Sequence, residues 1–247
     1  MGNANLFYFK HFVIDQSNCA MKIGADSMLL GALANIRNAE NILDIGTGSG
    51  VLSLMLAQKY SAKIHALEIE ENAYKQAVKN ASNSCWKNRI EIFHSPLQKF
   101  SPSDNIKYDL IISNPPYFQN ASHKSKSANQ NRAAARDQSL LSFTDLIFFA
   151  SKWIVESGIF CVIIPFAEKE NFIGLARKNN LYLQENIDIR SREESNFIRS
   201  ILSFSFRENQ YAQSKIFTIY KSANKYSEEY LEATEQYHAH DMRKRSL

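Results

Sequence analysis

Short apolar runs separated by helical patterns set the rhythm of this chain. Asn41–Ile45 reads as a buried strand and Val51–Lys59 as the helix that follows it. Lys63–Glu68 predicts a second strand, and Glu71–Asn80 a helix whose early acids suit the positive end of its dipole. Ile90–Phe93 and Tyr108–Ser113 read as the third and fourth strands. Phe143–Val155 is a strongly apolar helical stretch, Gly158–Ile164 a fifth strand stopped by Pro165, and Glu168–Asn179 a further helix. Leu181–Arg190 and Phe197–Phe206 alternate in the manner of a late antiparallel hairpin. A strand followed by a helix, repeated, is the pattern of an α/β sheet.

Two segments lie outside this rhythm. Residues 1–33 are aromatic and precede the first sheet strand. Residues 118–138 are polar and aperiodic, and carry Lys124, Lys126, Arg132 and Arg136 against only Asp137. A stretch of that length without its own pattern is uncommon in a compact domain and is usually functional or disordered.

Composition narrows the class only slightly. An apolar fraction of 45% with 8 Gly and 5 Pro is ordinary for a globular chain, which excludes wholesale disorder. The net charge of +4 permits a nucleic-acid partner without demanding one. Cys19, Cys85 and Cys161 show no metal-ligand spacing, and their odd number argues against a disulfide framework; Cys161 sits in an apolar run and is expected to be buried and inert. No metal site is expected. With no leader-like apolar core and no run of about 18 apolar residues, no membrane partner and a cytoplasmic location are the expectations.

Candidate chemistry changes the picture more. Leu43-Asp44-Ile45-Gly46-Thr47-Gly48-Ser49-Gly50 closes a strand and opens a helix. Glycines there let the backbone turn tightly and approach a ligand. The Gly-x-Gly-x-Gly spacing differs from the longer one that seats a pyrophosphate on a helix N-terminus, so a ligand without phosphate fits it. Glu68 follows roughly twenty residues later at a strand end, the interval at which an acid reaches ribose hydroxyls. Asp44, Gly46, Gly48 and Glu68 are the candidate nucleoside-cofactor residues.

Asp109–Ser113 then runs into Asn114-Pro115-Pro116-Tyr117. Two prolines end the strand and stiffen the turn. The lone pair of a planar exocyclic amine is delocalised into its ring. Acceptors for both N–H bonds, naturally the Asn114 side-chain oxygen and the Pro115 carbonyl, would shift that nitrogen towards tetrahedral geometry and expose its lone pair. Tyr117 can stack on a base drawn out of its surroundings.

Together the two motifs resemble class I methyltransferases of the amino-methylating branch. The segment Phe9-Lys10-His11-Phe12 and Cys19 to Ala32, with Asp44 to Gly50, Glu68, Ile111 to Tyr117, Arg132, Arg136 and Tyr226-Ser227-Glu228-Glu229-Tyr230, is similar to bacterial tRNA1(Val) (adenine(37)-N6)-methyltransferases. The resemblance spans nearly the whole chain. It implies a Rossmann-like fold, with a mostly parallel seven-stranded sheet, an antiparallel last hairpin and helices on both faces. It also implies S-adenosyl-L-methionine as cofactor, tRNA, specifically tRNA(Val), as partner, and a monomer. The whole chain is then one methyltransferase domain, with residues 1–33 capping the site, 118–138 as substrate loop and 215–247 as a C-terminal extension. By the same resemblance, Lys22, Gly24 and Asp26 close over the methionine end of the cofactor, Asp26 pairing with its ammonium, and Asn114 touches both cofactor and substrate.

One position departs from the family. His94-Ser95-Pro96-Leu97 places Pro96 where an Asp usually accepts from the cofactor's adenine amine, so Ser95 or a backbone carbonyl is the expected substitute. Lys124, Lys126, Arg132 and Arg136 follow the catalytic turn closely enough to hold phosphates around a flipped loop base. Rival substrates for the same turn are an adenine of ribosomal RNA, a guanine N2 and a protein glutamine amide. A nicotinamide-dependent oxidoreductase would need the longer glycine spacing, and a non-catalytic RNA-binding module would have no need of Asn114.

Overall fold

A computed structural model describes residues 5–19, 22–103, 106–116, 141–223 and 225–239. A short antiparallel pair, β1 (Leu6–Tyr8) and β2 (Val13–Asp15), precedes helix α1 (Ala25–Leu33). Strands β3 (Asn41–Ile45), β4 (Lys63–Glu68), β5 (Ile90–His94) and β6 (Tyr108–Ser113) follow, with α2 (Val51–Lys59) after β3 and α3 (Glu71–Ser82) after β4. Helix α4 (Phe143–Trp153) leads into the long strand β7 (Ile154–Pro165), and α5 (Lys169–Arg177) into the hairpin of β8 (Tyr182–Arg190) and β9 (Phe197–Ser205). The chain then adds β10 (Gln213–Thr218), a small hairpin of β11 (Tyr220–Ser222) and β12 (Lys225–Tyr226), and α6 (Glu228–Thr234).

The main sheet runs β10-β8-β9-β7-β6-β3-β4-β5. Strands β3 to β7 pair in parallel, and β9 is antiparallel to both β7 and β8. Central strands of a parallel sheet are covered on both faces, which is why they read as unbroken apolar runs. Alternate residues serve opposite cores. Ile42, Ile64, Leu110, Ile112 and Ile163 pack under α1, α2 and the N-terminal Phe9, Phe12 and Ile14. Leu43, Ile45, Leu67, Ile111 and Val162 pack under α4 and α5 through Leu146, Ile147 and Phe172. Helices therefore lie on both faces, as expected. Cys161 is buried in the first core, and burial pushes its thiol pKa up to about 12, so it is inert at neutral pH.

Two features correct the sequence reading. The sheet has eight strands instead of seven, because β10, within what reads as a C-terminal extension, pairs in parallel with the edge strand β8. Only Phe217 of β10 is buried, so its apolar signal is too weak to read alone; the open edge of β8 and the Lys215–Glu185 ion pair at 2.6 Å draw it in. Helix α4 also stops at Trp153, two residues before the predicted Val155, and β7 begins at Ile154.

Gly158 therefore lies inside β7 and not at its start, where the register against β6 shifts between Tyr108 and Leu110. A Cβ there would lie 2.6 Å from Ile154 Cγ1 and 3.0 Å from the Tyr108 and Asp109 carbonyl oxygens. Gly158→Ala is expected to lower the unfolding free energy by about 1–3 kcal/mol through overpacking, read by urea denaturation. A variant as stable as the wild type would show that this strand crossing can relax.

Candidate active site

Gly46, Gly48 and Gly50 all adopt positive φ, +75°, +59° and +83°. A side chain at any of these would be strained, which explains the alternating glycines. The turn is bound to its neighbours at every level. The Gly46 and Thr47 amides both donate to the Leu67 carbonyl at 2.9 Å. Glu68, at the end of β4, accepts from the Gly48 amide at 2.8 Å through Oε2, and from the Ile69 and Glu70 amides at 2.9 Å through Oε1.

Asp44 is placed differently from its expected role. Its side chain is fully buried and lines neither cavity described below; Oδ2 accepts from the Thr47 hydroxyl at 2.6 Å and the Ser53 hydroxyl at 2.7 Å. The carboxylate faces inward because the turn and the first residues of α2 wrap over it, so Asp44 shapes the site from below instead of contacting a ligand. Burial, opposed by the two hydroxyl hydrogen bonds, raises its pKa to about 6.

Two adjoining cavities open at the carboxyl ends of β3, β4 and β6. This is the crevice where ligands bind in open α/β sheets. The larger, about 410 Å³, has apolar walls from Ile45, Leu67, Pro96 and Leu97 and polar ones from Glu68 and Glu70. The smaller, about 260 Å³, carries Lys22, Gly24 and Asp26. Gly46, Gly48, Asn114 and Pro116 border both.

A Cβ on Gly46 or Gly48 would meet no protein atom within 4 Å, so the turn leaves room for something other than protein. A largely apolar cavity that also carries two carboxylates, next to one lined by a cation and an anion, fits S-adenosylmethionine by its chemistry. The apolar walls suit adenine, Glu68 the ribose, and Lys22 with Asp26 the amino-acid end.

Asn114 is held from two sides. The Ser113 hydroxyl donates to the Ile45 carbonyl at 2.8 Å and ties the end of β6 to β3. The Asn114 amide nitrogen donates to the Ser27 hydroxyl of α1 at 2.9 Å, which orients the amide plane. Pro115 is buried and lines the smaller cavity. Asp26 forms an ion pair with Arg199 of β9 at 2.9 Å, a partner sequence alone did not indicate. Lys22 donates to the Gln16 carbonyl at 2.6 Å.

At the position of the family's missing acid, Ser95 lines the larger cavity, but its hydroxyl donates to the Pro96 carbonyl at 3.0 Å. Gln98 lines it as well, its amide nitrogen donating to Asp145 at 3.0 Å. Neither Ser27, Gln98 nor Arg199 carried a signal along the chain, since each acts through a contact distant in sequence. Tyr117, Lys124, Lys126, Arg132 and Arg136 lie outside the described residues.

A family model described as methyltransferase small domain matches residues 18–151. A protein of Christiangramia forsetii, named tRNA1(Val) (adenine(37)-N6)-methyltransferase, is 40% identical over 94% of this chain and 97% of its own length. One of Flavobacterium psychrophilum with the same name is 39% identical over 94% of this chain and 99% of its own. Among solved structures, one described as a predicted O-methyltransferase of Agrobacterium tumefaciens superposes with a TM-score of 0.64 at 17% identity, covering 87% of this chain and 98% of its own, a likeness of fold.

The buried acid makes a pH prediction. An Asp whose folded pKa is raised to about 6 from an unfolded value near 3.8 costs stability as pH rises through that window, and the cost is constant above it. Asp44→Asn should therefore gain on the wild type between about pH 4 and pH 6, by on the order of 1–3 kcal/mol, and keep that gain above pH 6. Thermal unfolding of both proteins across this range checks it, and a difference independent of pH would count against a raised pKa.

Proposed function

Since the chain belongs to the tRNA1(Val) (adenine(37)-N6)-methyltransferase family, we propose that it transfers a methyl group from S-adenosylmethionine to N6 of adenosine 37 in tRNA(Val). The observation that carries the chemistry is that Asn114 and Pro116 border both cavities while Pro115 lines the smaller one. An acceptor pair there meets the exocyclic amine of a base at the junction of the adenosine-sized slot and the amino-acid compartment.

S-adenosylmethionine, when bound, supplies an electrophilic methyl group. The rest is done by the chain. Glu68 and Glu70 would meet the ribose, and Ser95, Leu97 and Gln98 the adenine; all five line the larger cavity. Gln98, with its amide nitrogen taken by Asp145, offers its oxygen to an adenine amine where the usual Asp is replaced by Pro96. Lys22 and Asp26 flank the amino-acid end. The Asn114 side-chain oxygen and the Pro115 carbonyl accept the two N–H bonds of the target amine, which localises its lone pair for attack; the displaced proton leaves to solvent. Ser27, by holding the amide nitrogen of Asn114, sets which way that oxygen points.

In this reading Tyr117 stacks on the flipped base, and Lys124, Lys126, Arg132 and Arg136 hold the phosphates around it. In the same reading the enzyme acts as a monomer in the cytoplasm.

Incubation with labelled cofactor and tRNA from cells lacking this modification, followed by nucleoside analysis, should place the label on N6-methyladenosine. Label on guanine or on protein would overturn the adenine assignment. Asn114→Ala is expected to cut methyl transfer by at least about 10²-fold, the scale for loss of one preorganised polar contact, while calorimetry still shows cofactor binding. Full activity in that variant would sink the mechanism. Glu68→Ala should weaken cofactor binding about tenfold or more, since it removes both a charged acceptor and the anchor of the glycine turn; an unchanged affinity would remove Glu68 from the ribose role.

A further inference from the structure

A third cavity, about 530 Å³, lies outside the catalytic constellation, between β1 and the β11–β12 hairpin. About half of its lining is aromatic, including Tyr8, Tyr220, Tyr226, Tyr230 and the His238 ring; the rest is mainly aliphatic. Tyr226 stacks on Tyr230 with ring centres 4.3 Å apart and planes within 10°, and Tyr220 stacks on Tyr226 at 5.1 Å. An antiparallel bridge from Phe9 to His238 and the Lys10 amide bond to the Tyr237 carbonyl hold the two walls together.

The cavity neighbours the smaller cavity of the candidate site, because Ile23 and Gly24 border both. The hairpin that supplies Tyr220 and Tyr226 also carries Lys221 and Lys225, both exposed. Glu228 and Glu229 occupy the first turn of α6 beside it, Glu229 accepting from the Thr218 amide at 3.1 Å, and neither lines the cavity. Tyr230 is buried and Tyr220 and Tyr226 are half-buried, whereas Tyr8 is 57% exposed.

Aromatic side chains on a cavity wall, with exposed lysines beside them on the same hairpin but outside the cavity lining, are what single-stranded nucleic acid recognises. Bases stack on the rings, and the cations meet the phosphates. We propose that this cavity is a stacking subsite for a second unpaired nucleotide of the RNA substrate, one that flanks the methylated base in the loop. The proposal rests on the reading of the enzyme as acting on tRNA. Its volume admits one nucleotide and no duplex. With one base in the catalytic turn and a neighbour gripped here, the loop would be splayed open over Ile23 and Gly24, so the N-terminal segment serves as the wedge between two base sites.

The test is filter binding of the full-length protein to unmodified tRNA transcript, with methyl transfer measured in parallel. Tyr8→Ala should weaken tRNA binding about tenfold, the scale of one lost base stack, and raise KM with little change in kcat. Tyr8→Phe, which keeps the ring, should restore both. Lys221→Ala with Lys225→Ala should lower the salt dependence of log K by roughly one to two units. Cofactor affinity should be unchanged in all three.

A Tyr8→Ala protein that binds tRNA as tightly as the wild type overturns the subsite. A lowered melting temperature with unchanged tRNA affinity means the cavity is filled by the chain's own segments, and overturns it too. A wild type that binds tRNA but does not methylate it breaks the functional reading and leaves the binding comparison intact. A wild type that does not bind tRNA at all overturns both.

Discussion

The site depends on a left-handed glycine turn held between two buried carboxylates. Glu68 grips it from above through the Gly48 amide, and Asp44 braces it from below through Thr47 and Ser53. A turn with three positive-φ residues has little conformational preference of its own, because glycine samples so much of the map. Its geometry is imposed by acceptors rigidly mounted on β3 and β4. Charge burial of this kind is costly unless hydrogen bonds offset it. Glu68 reaches three backbone amides, whereas one Asp44 oxygen finds no hydrogen-bond partner among the described residues, and that imbalance accompanies the raised pKa of Asp44. The turn is thus preorganised, and little order remains to be created when a ligand binds.

The catalytic turn is built on the same frame. Ser113 locks the end of β6 to β3, so Asn114 emerges at a set height above the glycine turn. Its amide is then oriented by Ser27, which belongs to α1 and hence to the N-terminal segment. That segment is tied in turn to the late strand β9 through the Asp26–Arg199 ion pair. The pair is part-exposed, so its direct contribution to stability is small. Its value is positional: three distant parts of the chain converge on one side chain. With the aromatic cavity bordering the same Gly24, the N-terminal segment touches the smaller cavity, the Asn114 amide and the aromatic cavity.

Much of this was legible along the chain for a simple reason. Strands buried on both faces must be apolar at every position, so β3, β4, β6 and most of β7 announce themselves, and the glycines mark a turn that other residues cannot adopt. Where the reading slipped, local signal and tertiary context disagreed. Ile154 and Val155 continue an apolar helical pattern, yet the need to pair with β6 turns them into strand. Gln213–Thr218 is exposed along most of its length and becomes a strand only because β8 presents an unpaired edge. Asp44 lies beside the glycines in sequence, which suggests a ligand contact, but strand alternation and the fold of α2 point it into the core.

By itself, then, the sequence determined the α/β class and the two motifs, since periodicity and the glycine and proline constraints are local properties. Tertiary structure alone decided that Glu68 anchors the turn, that Ser27 orients Asn114, that Arg199 meets Asp26, and that Gln98 lines the larger cavity. These are contacts between residues far apart in the chain, and a hydrogen bond leaves no trace in sequence until the fold brings donor and acceptor together. The same holds for the tyrosine cavity, whose two walls come from opposite ends of the chain.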